Sequence, residues 1–114
     1  MSDSDRREKP RVRFEDPVNI HRVEPSHSGH IFEVKGHPIQ VKARDIAENG
    51  LCLDLNAPVE PQTILKVNFE VKKKSVDVYA RVVWVDRQRC GLRFIVLDRD
   101  CSKAIRDYVS STAN

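Results

Sequence analysis

The sequence has no apolar run approaching the roughly 18 residues that a membrane-spanning helix needs. It opens on Met-Ser-Asp-Ser-Asp, with none of the apolar core of a secretory signal behind it. Membrane insertion and export are therefore not expected, and a cytoplasmic setting is. Cysteine is scarce: Cys52, Cys90 and Cys101 show no Cys-x-x-Cys spacing, and their odd number argues against a disulfide framework. Each stands among apolar neighbours and reads as a small buried hydrophobe. His27 and His30 lie in Pro25-Ser-His-Ser-Gly-His30, a turn-like segment with no Cys or carboxylate to complete a ligand set, so no metal is expected. No nucleophile elbow, Gly-rich loop before a helix or recognisable carboxylate pair is visible. No catalytic residue is nominated, and an enzyme is not expected. Aromatic residues make up only 6% of the chain, and most fall at core positions. That leaves few platforms for stacking the bases of single-stranded nucleic acid.

What is present begins with charge. The 114 residues fit one domain, and the excess of positive charge is concentrated in Arg6-Arg-Glu-Lys-Pro-Arg-Val-Arg13. That arm carries +4, against −1 for the remainder, within a net charge of +3. A basic arm on a near-neutral body points to a local anion site rather than a broad polyanion surface. Arginine suits phosphates and purines, because its planar fork bonds bidentately and stacks on rings.

Residues 1–13 are expected to be a flexible arm, 14–110 the folded domain and 111–114 a disordered tail. Val18–Val23 alternates apolar and polar as a half-buried strand does. Ile31–Val34 reads as a short strand, Lys35-Gly-His-Pro38 as a turn, and Ile39, Val41 and Ala43 as another strand at period two. Asn49-Gly50 is a turn signal, because both residues tolerate positive φ. Leu51, Leu53 and Leu55 share one face, with Cys52 and Asp54 on the other. Ile64–Val71 and Val76–Val85 are longer strands joined across Lys72-Lys-Lys-Ser75, a lysine-rich tip that keeps a hairpin soluble. Asp86-Arg-Gln-Arg89 turns the chain into Cys90–Val96. Cys101, Ala104, Ile105, Tyr108 and Val109 then share one face of a helix of about three turns, capped by Asp98 or Asp100. The order predicts an all-β fold, a six- or seven-stranded antiparallel barrel with one C-terminal helix.

Two segments carry the chemistry. Arg7-Glu-Lys-Pro-Arg11 is Arg-x-x-x-Arg, stiffened by Pro10; Arg89-Cys-Gly-Leu-Arg93 repeats the pattern but lies within a strand. Asp45-Ile-Ala-Glu-Asn-Gly50 follows an alternating strand and turns at a glycine. With these two motifs in this order, the chain resembles the PilZ domain family. That family is marked by Arg-x-x-x-Arg near the N-terminus and Asp/Asn-x-Ser-x-x-Gly further on. Arg7 and Arg11 match the first motif, and Asp45 and Gly50 the second. Val82-Val-Trp84 and Cys90-Gly-Leu-Arg-Phe94 agree with the family's surroundings. Ala47 stands where the family usually has serine, and Arg11 to Asp45 is a long spacing, as an extended hairpin around 24–38 would produce.

The resemblance implies a PilZ-type barrel that binds the bacterial second messenger cyclic di-GMP between arm and barrel wall. Arg7 and Arg11 would meet phosphates and guanine edges, Asp45 would accept from guanine N–H groups, and Gly50 would let the backbone approach. Ala47 withholds one hydroxyl, worth about 0.5–1.5 kcal/mol, whereas each arginine–phosphate contact is worth about 1.5–3 kcal/mol. Arg6, just before the first motif, implies two stacked ligand molecules per chain. Ordering of the arm would signal to an effector protein, in a process such as motility or biofilm formation. An alternative is a PilZ-like adaptor that binds proteins without nucleotide, with Ala47 in its favour. A barrel that binds RNA or DNA through the arm is disfavoured by the near-neutral body.

Overall fold

The structure, a computed structural model, describes residues 10–25, 32–55 and 59–113. Its elements are β1 (Arg11–Arg13), β2 (Pro17–Pro25), β3 (Phe32–Ala47), β4 (Gly50–Asp54), β5 (Ile64–Val71), β6 (Lys74–Asp86), β7 (Arg89–Val96) and α1 (Arg99–Ala113). The strand order is β1-β3-β2-β5-β6-β7-β4, and β3 also pairs with β4. Strands β2 to β7 thereby close into a six-stranded antiparallel barrel, and β1 is an extra strand laid on β3. The all-β barrel with a C-terminal helix is as the sequence implied.

Closure depends on β3. Residues from Phe32 to Lys42 pair with β2, and residues from Ala43 to Ala47 pair with β4. Between the two the register slips: Ala43 faces Leu53 and Asp45 faces Cys52, so Arg44 is an extra residue. Such a bulge bends its strand and sharpens the local twist. One strand can therefore serve two walls.

The core is lined by the inward row of each strand, as in Val76, Val78, Ala80 and Val82 of β6. Helix α1 covers it with Cys101, Ile105 and Val109. Phe14, just after β1, is 3% exposed and meets Phe69 and Tyr108 edge-on at 5.5 and 5.7 Å. All three cysteines are buried and free, as their apolar surroundings suggested.

Four local expectations change. The arm drawn as 1–13 ends earlier, because Arg11–Arg13 pairs with Ala47, Ile46 and Asp45 as β1. The reason is Val12, an apolar residue between two arginines, which is buried while its neighbours face out. The tail drawn as 111–114 is helical as far as Ala113, so α1 has four turns rather than three. Lys35–Pro38 does not reverse the chain: Gly36, at φ 69°, sits where β2 and β3 slip register, so glycine and proline serve a bulge within one long strand. Between β3 and β4 the turn does form, at Glu48-Asn49, but neither Asn49 nor Gly50 has positive φ. Gly50 is required for another reason, since a Cβ there would lie 2.3 Å from the Leu92 carbonyl oxygen of β7. Trp84, the chain's one tryptophan, is 43% exposed.

Candidate functional site

The barrel brings the matched motif residues together on one outer wall. The sheet register sets Arg13 opposite Asp45 and Arg11 opposite Ala47 across β1 and β3. It sets Asp45 opposite Cys52 and Ala47 opposite Gly50 across β3 and β4. Four positions separated by up to 39 residues in sequence, Arg11, Asp45, Ala47 and Gly50, thus occupy neighbouring strands. Arg6 and Arg7 lie outside the described residues.

Arg11 is the hinge of the site. Its Nε donates to Asp45 Oδ1 at 2.7 Å, and Nη2 reaches the same oxygen at 2.7 Å. Both side chains remain partly open to solvent, at 46% and 36%. The pair is therefore formed but accessible, and an incoming ligand can compete for either partner. By contrast Ala47, the sheet partner of Arg11, is 1% exposed. Gly50 is buried against β7. Its missing side chain leaves room for the Leu92 carbonyl, which accounts for the glycine by strand packing. Arg13 faces Glu15 at 3.8 Å, a looser contact.

A cavity of about 330 Å³ opens beside this pair, walled by Arg11, Arg13, Arg44, Asp45, Cys52 and Arg89. Cys52, outward from the barrel core yet nearly covered, lies at its floor. Burial first, and the Asp45 charge second, push the Cys52 thiol above its usual value, so it is protonated and unreactive near neutral pH. Cys90, deeper in the barrel, is pushed up to about 11 by burial. Among the described residues no group of His, Cys, Asp and Glu could hold a metal ion.

Three residues that sequence reasoning left aside belong to this wall. Arg89 begins the second Arg-x-x-x-Arg copy; β7 pairs it with Asp54, beside the cavity. Arg44 is the bulged residue of β3. Trp84 pairs across β6 and β7 with Gly91, where a Cβ would fall 2.1 Å from Trp84 Nε1, so the indole lies over the glycine. The next residue across the sheet is Cys52, then Asp45. A tryptophan facing a glycine across a hairpin was the available signal, because the glycine lets the ring lie flat and outward.

The fold is thus a small barrel with an outer groove walled by arginines beside a half-exposed carboxylate. The sequence matches the PilZ domain family over residues 5–111, and the chain belongs to that family, whose members are cyclic di-GMP-binding and adaptor domains rather than catalysts. Its fold is similar to the crystal structure of the PilZ domain of CeSA from a cellulose-synthesizing bacterium. The TM-score is 0.63 at 12% identity, covering 91% of this chain and 98% of that one. No functionally curated protein matches the sequence. No helix among the described residues is long and apolar enough to cross a membrane.

Proposed function

We propose that this protein is a receptor for cyclic di-GMP that binds the dinucleotide on the Arg11–Asp45 wall and signals to a partner protein. The observation that carries the reading is the accessible Arg11–Asp45 pair at the mouth of an arginine-lined cavity. Binding exchanges partners: Arg11 turns to a phosphate or to a guanine edge, and Asp45 accepts from guanine N–H groups. Trp84 offers one flat face for a base, and the arm, with Arg6 and Arg7, closes over the ligand from the other side. Ala47 brings no hydroxyl, so affinity rests on the arginines. Two stacked ligand molecules per chain are the expected stoichiometry.

Closure of the arm changes the surface offered to an effector protein, an order–disorder switch. The strand that follows the arm is tied to the terminal helix, because Tyr108 of α1 donates a hydrogen bond to the Arg13 carbonyl at 3.0 Å. Calorimetry with cyclic di-GMP tests the receptor reading. Native protein should release heat with an endpoint near two ligands per chain, and Arg7→Ala and Arg11→Ala should each lose most of it. Absence of heat from the native protein would leave the adaptor alternative instead.

A further inference from the structure

The cavity beside Arg11 and Asp45 holds about 330 Å³, near the lower end of the roughly 300–1,000 Å³ typical of ligand pockets. A dinucleotide with two bases and two phosphates overfills a site of that size. Next to it lies a second, larger cavity of about 870 Å³. The two share Arg44 and Arg89 as a common wall.

Backbone geometry puts both guanidiniums there. Arg44 is the extra residue of the β3 bulge, and a bulge re-aims its side chain out of the strand's alternation. Arg89 follows a two-residue hairpin in which Arg87 has φ 58°, and β4–β7 pairing sets it opposite Asp54. The Leu55 amide donates to the Gln88 carbonyl at 2.7 Å, pinning that hairpin to the end of β4.

Around the larger cavity Arg44, Arg87 and Arg89 face Asp54 and Asp86, an excess of one positive charge. Arg44 Nη1 and Arg89 Nε approach the same carboxylate, Asp54, at 3.6 and 3.7 Å. Both distances exceed hydrogen-bond length, so one carboxylate holds two guanidiniums electrostatically and satisfies neither. All three side chains keep contact with solvent, at 38%, 53% and 39% for Arg44, Arg89 and Asp54. Two converging planar donors with a loosely held counter-ion are arranged to take a phosphate, whose oxygens accept at shorter range.

We infer that Arg44 and Arg89 form a second anion subsite that takes the ligand's further phosphate, with Asp54 as the counter-ion the ligand displaces. This rests on the cyclic di-GMP reading and adds to it residues outside both family motifs. Asp54 then competes with the ligand, so removing its charge strengthens binding. That sign is opposite to the one expected for Asp45.

Titration of the full chain with cyclic di-GMP, at low and at moderate salt, decides it. Arg44→Gln and Arg89→Gln should each weaken binding about tenfold, as expected of a charge-assisted contact partly open to water. Asp54→Asn should bind more tightly than native protein at low salt, with the gain shrinking as salt rises. Thermal melts check that the variants fold. If either arginine variant unfolds, Asp54→Asn decides alone, because unfolding cannot raise affinity. Unchanged or weaker binding by Asp54→Asn, or native-like binding by the two folded arginine variants, overturns the subsite while leaving the receptor reading intact. Failure of the native chain to bind removes both.

Discussion

At the scale of single residues, the site combines side chains of opposite duty. Arg11 and Asp45 satisfy each other at 2.7 Å in the free protein, so a ligand must outbid that contact. Exposed ion pairs contribute only about 0–1 kcal/mol to stability, and exchange of partners is therefore inexpensive. Asp45→Asn should leave the melting temperature nearly unchanged while weakening cyclic di-GMP binding, read by melting and calorimetry on the same samples. Gly50 behaves differently. Gly50→Ala forces a methyl group into the Leu92 carbonyl and should destabilise the barrel by about 1–3 kcal/mol in chemical denaturation, with or without ligand.

Among the elements, the turns and the helix ends are where sequence and geometry pull apart. Lys72 and Lys73 form the two-residue turn between β5 and β6 with φ of 50° and 71°, a left-handed pair that Asn-Gly suits better. Replacing them by Asn-Gly should stabilise the protein by about 1 kcal/mol, less whatever Lys72 Nζ gains at 2.9 Å from Ser111 Oγ on α1. Helix α1 is capped by Asp98, whose carboxylate accepts from the Cys101 amide at 2.7 Å. That backbone hydrogen bond holds the Asp98 carboxyl below its ordinary value. A lowered folded-state value means the stabilisation is complete above the unfolded value near 4 and fades as pH falls through the folded one. Native protein should thus melt above Asp98→Asn at pH 6, and the difference should vanish in strong acid.

For the whole molecule, the proposed ligand wall is assembled from β1, β3, β4 and β7, so binding there would be linked to folding. None of these strands holds the site alone. A ligand at about 100 times its Kd stabilises the native state by roughly 2.7 kcal/mol, which for a chain of this length raises Tm by about 10 °C. The segment at and just after β1 touches α1 through Phe14 and Tyr108. Tyr108→Phe keeps the ring contact with Phe14 but loses the hydrogen bond to the Arg13 carbonyl. It should cost about 0.5–1.5 kcal/mol in denaturation and leave β1 more exposed to amide exchange.

The amino-acid order alone determined the barrel class and its terminal helix, and it nominated the residues of the proposed site. Alternation at period two marks the longer strands whatever their partners, and Arg11 and Asp45 stand out by type and spacing. Where the alternation was short, as in Arg11-Val12-Arg13, charge hid it, and a strand was read as an arm. Tertiary structure decided the rest. Sheet register placed Asp54 within reach of both Arg44 and Arg89, a bulge turned Arg44 outward, and a facing glycine let Trp84 lie exposed on the wall. Those relations join residues far apart in the chain, and only closure of the barrel makes them neighbours.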